Sequence, residues 1–227
     1  MKKLNWQNII LAILIFFCAI LIPLVADGYW MSISVTIIMY FVLATSWAIF
    51  SGPTHYISLA TAAFFGVGSY LVGTGMSDFE MSYWTMVIIS PFVGAILAFF
   101  IGLATLRLSG VYFVIFTLGL AEMIRNLVSW IQNNFTGSRG LYVLTDLTEV
   151  NIYYFLLALG TIVFIFGWCV ERSRLGFAIR IIGNDEIVAK HVGINTAFSK
   201  VVLFTATGFV ASLVGALIAP RYTYIEP

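Results

Sequence analysis

Residues 28–77 run for fifty positions without an Asp, Glu, Lys or Arg, and two further charge-free tracts follow at 81–106 and 150–170. A charge held at mid-bilayer costs ~2.5–3.5 kcal/mol or more, so tracts this apolar belong in lipid. A helix needs about twenty apolar residues to cross the hydrocarbon core. Counted in that unit, the chain offers seven candidate spans: 8–26, 30–50, 56–73, 83–106, 111–131, 152–170 and 198–220. The third is short, and the breaker cluster Ser51-Gly52-Pro53-Thr54-His55 precedes it. Residues 30–73 therefore read either as two spans joined by a tight turn or as a span followed by a discontinuous helix. Irregular backbone at membrane depth survives only where protein buries it or where it lines a cavity. The expected fold is an all-α polytopic membrane bundle of about seven spans. It forms one domain over residues 1–227, with a long loop at 171–200 inside it.

Charge orients the bundle. With Lys2 and Lys3 in the cytoplasm, alternation puts Arg107 and the 171–200 loop inside, and Asp27, Asp78, Glu80 and the 132–151 loop outside. The inner segments then hold Lys2, Lys3, Arg107, Arg172, Arg174, Arg180, Lys190 and Lys200. The outer loops hold Arg139, with Arg221 at the end of the last span. Such asymmetry is what membrane insertion selects. The run from Ile9 to Val25 exceeds the apolar core of a secretory signal, and no small-x-small cleavage site follows it, so it reads as a retained first helix. Apolar residues make up 61% and charged residues 9%, against roughly 45–50% and 25% in soluble domains. Basic and acidic residues nearly cancel, which implies no nucleic-acid partner. Cys18 and Cys169 lie in apolar tracts and suggest no disulfide framework.

Few groups break the apolar pattern. Ala62 with Gly66, Ser69 with Gly73, and Gly208, Ser212 and Ala216 stand four apart, the spacing that lets helix backbones approach closely in lipid. Glu122, Arg125, Asn126 and Ser129 share a face of the fifth span. Ionisable groups at that depth are expected to face the bundle interior and pair, so Glu122 and Arg125 read as an ion pair between helices or as part of a substrate path. No His, Cys or second carboxylate stands near them in sequence, which argues against an integral-membrane enzyme or a metal centre.

The 171–200 segment carries its own helix signals. Asn184 is the expected N-cap, Asp185 and Glu186 fill the first turn, Lys190 and His191 the last, and Gly193 follows as the C-terminal glycine. A helix of about two turns does not hold its shape alone in water. Its apolar residues Ile187, Val188 and Val192 therefore either pack on their own membrane domain or dock into a partner's groove. No G-x-x-x-x-G-K-[ST] loop occurs, so an ATP-driven role would take its motor from another chain.

The stretch from Glu171-Arg172 through Gly176, Arg180, Asn184-Asp185-Glu186, Ala189 and Gly193-Ile194-Asn195 resembles the cytoplasmic coupling loop of branched-chain amino acid ABC transporter permeases. Ser58-Leu59 with Ala62 to Tyr70 is similar to that family's early signature. Leu106 to Phe113 with Thr117-Leu118 and Glu122 is similar to its central one, and Thr136-Gly137 to Gly140-Leu141 to its glycine-containing outer loop. The Leu-Arg-Leu-x-Gly stretch points to the M-type paralogue.

The resemblance implies a permease that pairs with a second, H-type permease. Two cytoplasmic ATP-binding subunits would hold ATP and Mg, and a solute-binding protein would deliver substrate outside. This chain would carry no cofactor and no catalytic residue, and would sit in the inner membrane with its N-terminus in the cytoplasm. Gly176, Arg180, Asn184, Asp185, Glu186, Ala189 and Gly193 would then couple to the ATPase. Ser58, Thr61, Tyr112, Thr117 and Glu122 are candidates for the translocation path. His55-Tyr56, Ala60-Thr61 and Val111 depart from the family pattern. These departures widen the expected substrate from leucine, isoleucine and valine to related amino acids, urea or amides. A structural membrane subunit without a substrate path is the remaining reading. The chain stops at Pro227 where such permeases continue, so a truncated chain is expected.

Overall fold

A computed structural model describes residues 6–105, 108, 110–136, 141–222 and 224–225, with side chains from residue 14 onward except at 135 and 136. Its elements are α1 (Trp6–Val25), α2 (Gly28–Thr54), α3 (Thr61–Ser77), α4 (Tyr83–Thr105), α5 (Val111–Ile131), α6 (Glu149–Arg172), α7 (Arg174–Asn184), α8 (Glu186–His191) and α9 (Thr196–Tyr222). A π-helical turn over Gln132–Thr136 extends α5, and β1 (Leu141–Tyr142) pairs antiparallel with β2 (Tyr224–Ile225). Among the described residues, five helices are long and apolar enough to cross a membrane: α2, α4, α5, α6 and α9. That is fewer than the seven expected spans; α3, at 17 residues, is shorter than these five. Arg107, Arg139, Lys2, Lys3 and most of the expected outer glycine loop lie outside the described residues.

The breaker cluster breaks later than its composition suggests. α2 runs through Gly52 and Pro53 to Thr54. The Thr54 hydroxyl donates to the Phe50 carbonyl at 2.6 Å. The chain turns at His55, which adopts the left-handed conformation at φ 58° and whose N–H caps the Ser51 carbonyl. The expected span over 56–73 therefore loses its first turn. Residues 55–60 are irregular, and the helix begins at Thr61.

α9 is the most buried helix and packs between α3 and α4. Small residues set the distances. A Cβ on Gly68 would lie 2.0 Å from the Ser212 carbonyl oxygen, and one on Gly215 would lie 2.0 Å from that of Phe65. Hydroxyls join the same seam: Ser69 Oγ donates to Gly215 O at 3.0 Å, and Ser212 Oγ to Ser90 O at 2.9 Å. Tight contact through small residues is thus observed on α9. On α3, however, the residues against α9 are Gly68 and Ser69 rather than Ala62 and Gly66, while Gly73 meets Leu141 of β1. Gly66 faces open space because its side of α3 borders a cleft toward α5.

The two ends of the bundle differ. One end gathers residues 51–60 and 171–200, including Arg172, Arg174, Arg180, Lys190 and Lys200. The opposite end carries Asp78, Glu80, Glu149 and the β1–β2 ribbon. There Arg221 donates to Ser32 O and Thr36 Oγ1, each at 2.8 Å, and pairs with Glu149 at 3.7 Å, which ties α9 to α2 and α6.

Candidate functional site

The 171–200 segment folds into two short helices at a sharp elbow. Its first part is α7, eleven residues long, which lies across the ends of α2, α6 and α9. Ser173 caps it, with its hydroxyl accepting from the Gly176 N–H at 3.2 Å. Gly176 is required here: a Cβ would meet the Val170 carbonyl oxygen at 2.1 Å. Ile179 and Ile182 are buried, while Arg180 turns outward and pairs with Glu171. Both members of that pair border a cavity of about 440 Å³ between α2, α6 and α7.

Asn184 ends α7 instead of capping α8, which corrects the sequence expectation. Asp185 is the cap: its Oδ1 accepts from the N–H of Ile187 at 2.8 Å and of Val188 at 3.2 Å. Its own backbone is extended, as an N-cap requires. Gly193, at φ +83°, closes the other end, with the Ile194 N–H reaching the Ala189 carbonyl at 3.0 Å. Only Ala189 of α8 is buried. Ile187 and Val192 are each 67% exposed and Val188 is exposed beside them. The apolar stripe of α8 therefore faces away from its own chain.

The elbow is fastened to the α2–α3 connection at two points. His55 Nδ1–H donates to the Gly183 carbonyl at 2.9 Å, and a Cβ on Gly183 would lie 2.1 Å from the Pro53 carbonyl oxygen. The second fastening is ionic. Lys200 Nζ donates to Glu186 Oε2 at 3.1 Å and Oε1 at 3.2 Å, and to Tyr56 Oη at 3.3 Å. Tyr56 Oη donates to Glu186 Oε2 at 2.9 Å, and Thr196 Oγ1 to Glu186 Oε1 at 3.2 Å. The Lys200 ammonium also lies 4.5 Å from the centre of the Tyr56 ring. Lys200 is 1% exposed. A buried ammonium survives only when paired, and Glu186 is its counter-ion. Burial alone would raise the Glu186 pKa. Hydrogen bonds from Tyr56 and Lys200, and the Lys200 charge, outweigh that and hold the carboxyl below its ordinary value.

The candidate path residues separate into two groups. Ser58 and Thr117 come together through the irregular segment: Trp47 Nε1 donates to Ser58 O at 2.9 Å, and the Leu59 N–H donates to Thr117 Oγ1 at 3.2 Å. Thr61 follows at the start of α3. Tyr112 is exposed at the start of α5. Glu122 and Arg125 do not face the interior of this chain, against expectation. They stand 4.0 Å apart with more than 60% of each side chain exposed. They border a cavity of about 250 Å³ whose other wall is Ala62, Ala63 and Gly66 of α3. The reason is that α5 packs less than the other long helices and leaves its polar face outside the core. Asn126 and Ser129 satisfy themselves on the carbonyls of Glu122 and Arg125.

Sequence reasoning missed Tyr56 and Lys200 as a unit. Lys200 carried a signal, since it is a cation placed at the head of the apolar run 201–220. Tyr56 carried only its departure from the family pattern. Among the described residues, no group of His, Cys, Asp and Glu is placed to hold a metal.

Residues 29–227 match the family described as branched-chain amino acid transport system / permease component. Two relatives are the high-affinity branched-chain amino acid transport system permease proteins LivM of Salmonella typhimurium and Escherichia coli. Each is 24% identical over 250 and 252 residues respectively, covering 94% of this chain and 59% of the relative. The chain thus spans less than two thirds of the length of the curated relatives it matches. No solved structure matches it. With the family match covering all but the first helix, the chain belongs to the permease component of branched-chain amino acid transport systems.

Proposed function

We propose that the chain is a membrane subunit of an ATP-driven importer of branched-chain or related amino acids, and that α8 is the helix its motor grips. One observation carries this reading. A six-residue helix, capped at both ends, presents Ile187, Val188 and Val192 to the outside at the basic end of the bundle. Apolar residues on a short, rigidly held helix suit insertion into a groove. The basic end is the cytoplasmic end by the positive-inside rule, which puts α8 where an ATPase would meet it. The family match supports the transport role, and the relatives' names suggest the substrate class.

In this reading the ATP and Mg sit on two partner subunits, a second permease packs alongside, and an external binding protein brings the substrate. The N-terminus is cytoplasmic, and α1 and α3 complete seven spans. The test is co-purification of the cognate ATPase with the full-length permease. Ile187→Asp or Val192→Asp is expected to abolish ATPase recovery while membrane insertion and monomer yield stay unchanged. Undiminished recovery with both variants would overturn the docking role.

A further inference from the structure

We infer that Tyr56, Glu186 and Lys200 form a clasp that carries movement of α8 into the 55–60 segment and, through it, to α5. The inference rests on the proposed reading of α8 as the gripped helix. A six-residue helix passes on a displacement only through the groups that fix it to its neighbours. Among the polar groups of α8, Glu186 is the one that reaches across the fold: it binds Tyr56 from the α2–α3 connection and Lys200 from α9.

The route continues from Tyr56. The segment holding it has no helical hydrogen-bond ladder to absorb motion, and it is gripped at three points by other elements. His55 is bound to Gly183 on α7, Ser58 O to Trp47 on α2, and Leu59 N–H to Thr117 on α5. A shift of the elbow therefore pulls on residues 55–60 from one side while Thr117 holds them from the other. Thr117 is wholly buried, and five residues further along α5 stands Glu122, at the cleft facing Ala62 and Gly66. The clasp is ionic, with its ammonium buried and its carboxylate partly covered, and its members come from the α2–α3 connection, α8 and α9. Tyr56, Glu186 and Lys200 act as positioning residues in this scheme; none touches the exposed stripe of α8.

The experiment uses the full-length permease assembled with its ATPase and reconstituted in vesicles with the external binding protein present. Three quantities are read in Tyr56→Phe, Glu186→Gln and Thr117→Val: ATPase recovery, ATP hydrolysis rate, and substrate taken up per ATP. Tyr56→Phe removes the hydroxyl that donates to Glu186 and accepts from Lys200 but leaves the ring beside Lys200, so it carries the test if Glu186→Gln fails to fold. In Tyr56→Phe, recovery and hydrolysis are expected to stay within about twofold, and in all three variants uptake per ATP is expected to fall about tenfold, the size of one lost charge-assisted hydrogen bond. Hydrogen exchange on the permease alone is expected to show α8 amides exchanging faster in Tyr56→Phe. Uptake per ATP equal to the parent's in Tyr56→Phe and Thr117→Val would overturn the clasp. If the parent permease itself recovers no ATPase, the docking reading fails; unchanged α8 exchange in Tyr56→Phe would then refute the clasp on its own.

Discussion

Glu186 and Lys200 show how one buried charge governs its surroundings. Lys200 sits in an apolar neighbourhood, and its ammonium is tolerable because Glu186, Tyr56 and Thr196 complete a polar pocket around it. Removing one charge is therefore worse than removing both. Glu186→Gln removes the carboxylate that pairs with the buried Lys200 ammonium and is expected to cost about 2 kcal/mol of stability, less than a fully buried pair because Glu186 is partly exposed. Lys200→Met in the Glu186→Gln background is expected to restore most of that loss, as read by thermal unfolding in detergent. The pH dependence follows from the lowered Glu186 pKa. A carboxyl whose folded pKa lies below its unfolded value of 4.5 stabilises fully above that value and loses its contribution as pH falls through the folded one. The advantage of the parent over Glu186→Gln is expected to be flat near neutrality and to shrink only below about pH 4.5. A loss of the advantage between about pH 6 and 7 would place the titrating group elsewhere.

At the scale of the element, α8 depends on its caps. Asp185 supplies the two hydrogen bonds that open the helix, so Asp185→Ala is expected to loosen α8 by about 1 kcal/mol, read as faster amide exchange at Ile187 and Val188. Helix packing gives a sharper contrast. Gly68→Ala drives a methyl into the Ser212 carbonyl and is expected to cost about 1–3 kcal/mol. Gly66→Ala meets nothing and is expected to raise stability by about 0.4–1 kcal/mol, as Ala does for Gly in a helix interior. These two glycines also show where sequence stops being informative. Both sit in the same small-residue run, and only tertiary packing decides which faces α9. The existence of α8 was legible because caps and terminal charges act locally. Its cap was misplaced by one residue because Asn184 and Asp185 are equally able to cap, and α7 claims Asn184 through the contacts of Ile179 and Ile182. The turn at His55 was legible as a breaker, but not its place, because Gly52 and Pro53 stay in the last turn of α2 and the left-handed residue is His55. The clasp was hidden because its members lie 14, 130 and 144 residues apart.

The whole molecule is asymmetric in how well it covers itself. α9 is wrapped by α3 and α4, whereas α5 turns Glu122, Arg125, Asn126 and Ser129 away from the core. A polar face at the depth of α5 is costly against lipid tails, so in a membrane it belongs against protein or a wet cleft. The two charges do little for each other as they stand. At 4.0 Å, with both side chains more than half exposed, the pair lacks a hydrogen bond and is screened. A double-mutant cycle of Glu122→Ala and Arg125→Ala on the chain in detergent is expected to give a coupling of about 0.5 kcal/mol or less. The same cycle in the assembled importer is expected to give about 1–2 kcal/mol more, because covering α5 removes the solvent that screens the pair. Equal coupling in both states would show that α5 stays uncovered on assembly, and the polar face would then need a partner other than the importer's own subunits.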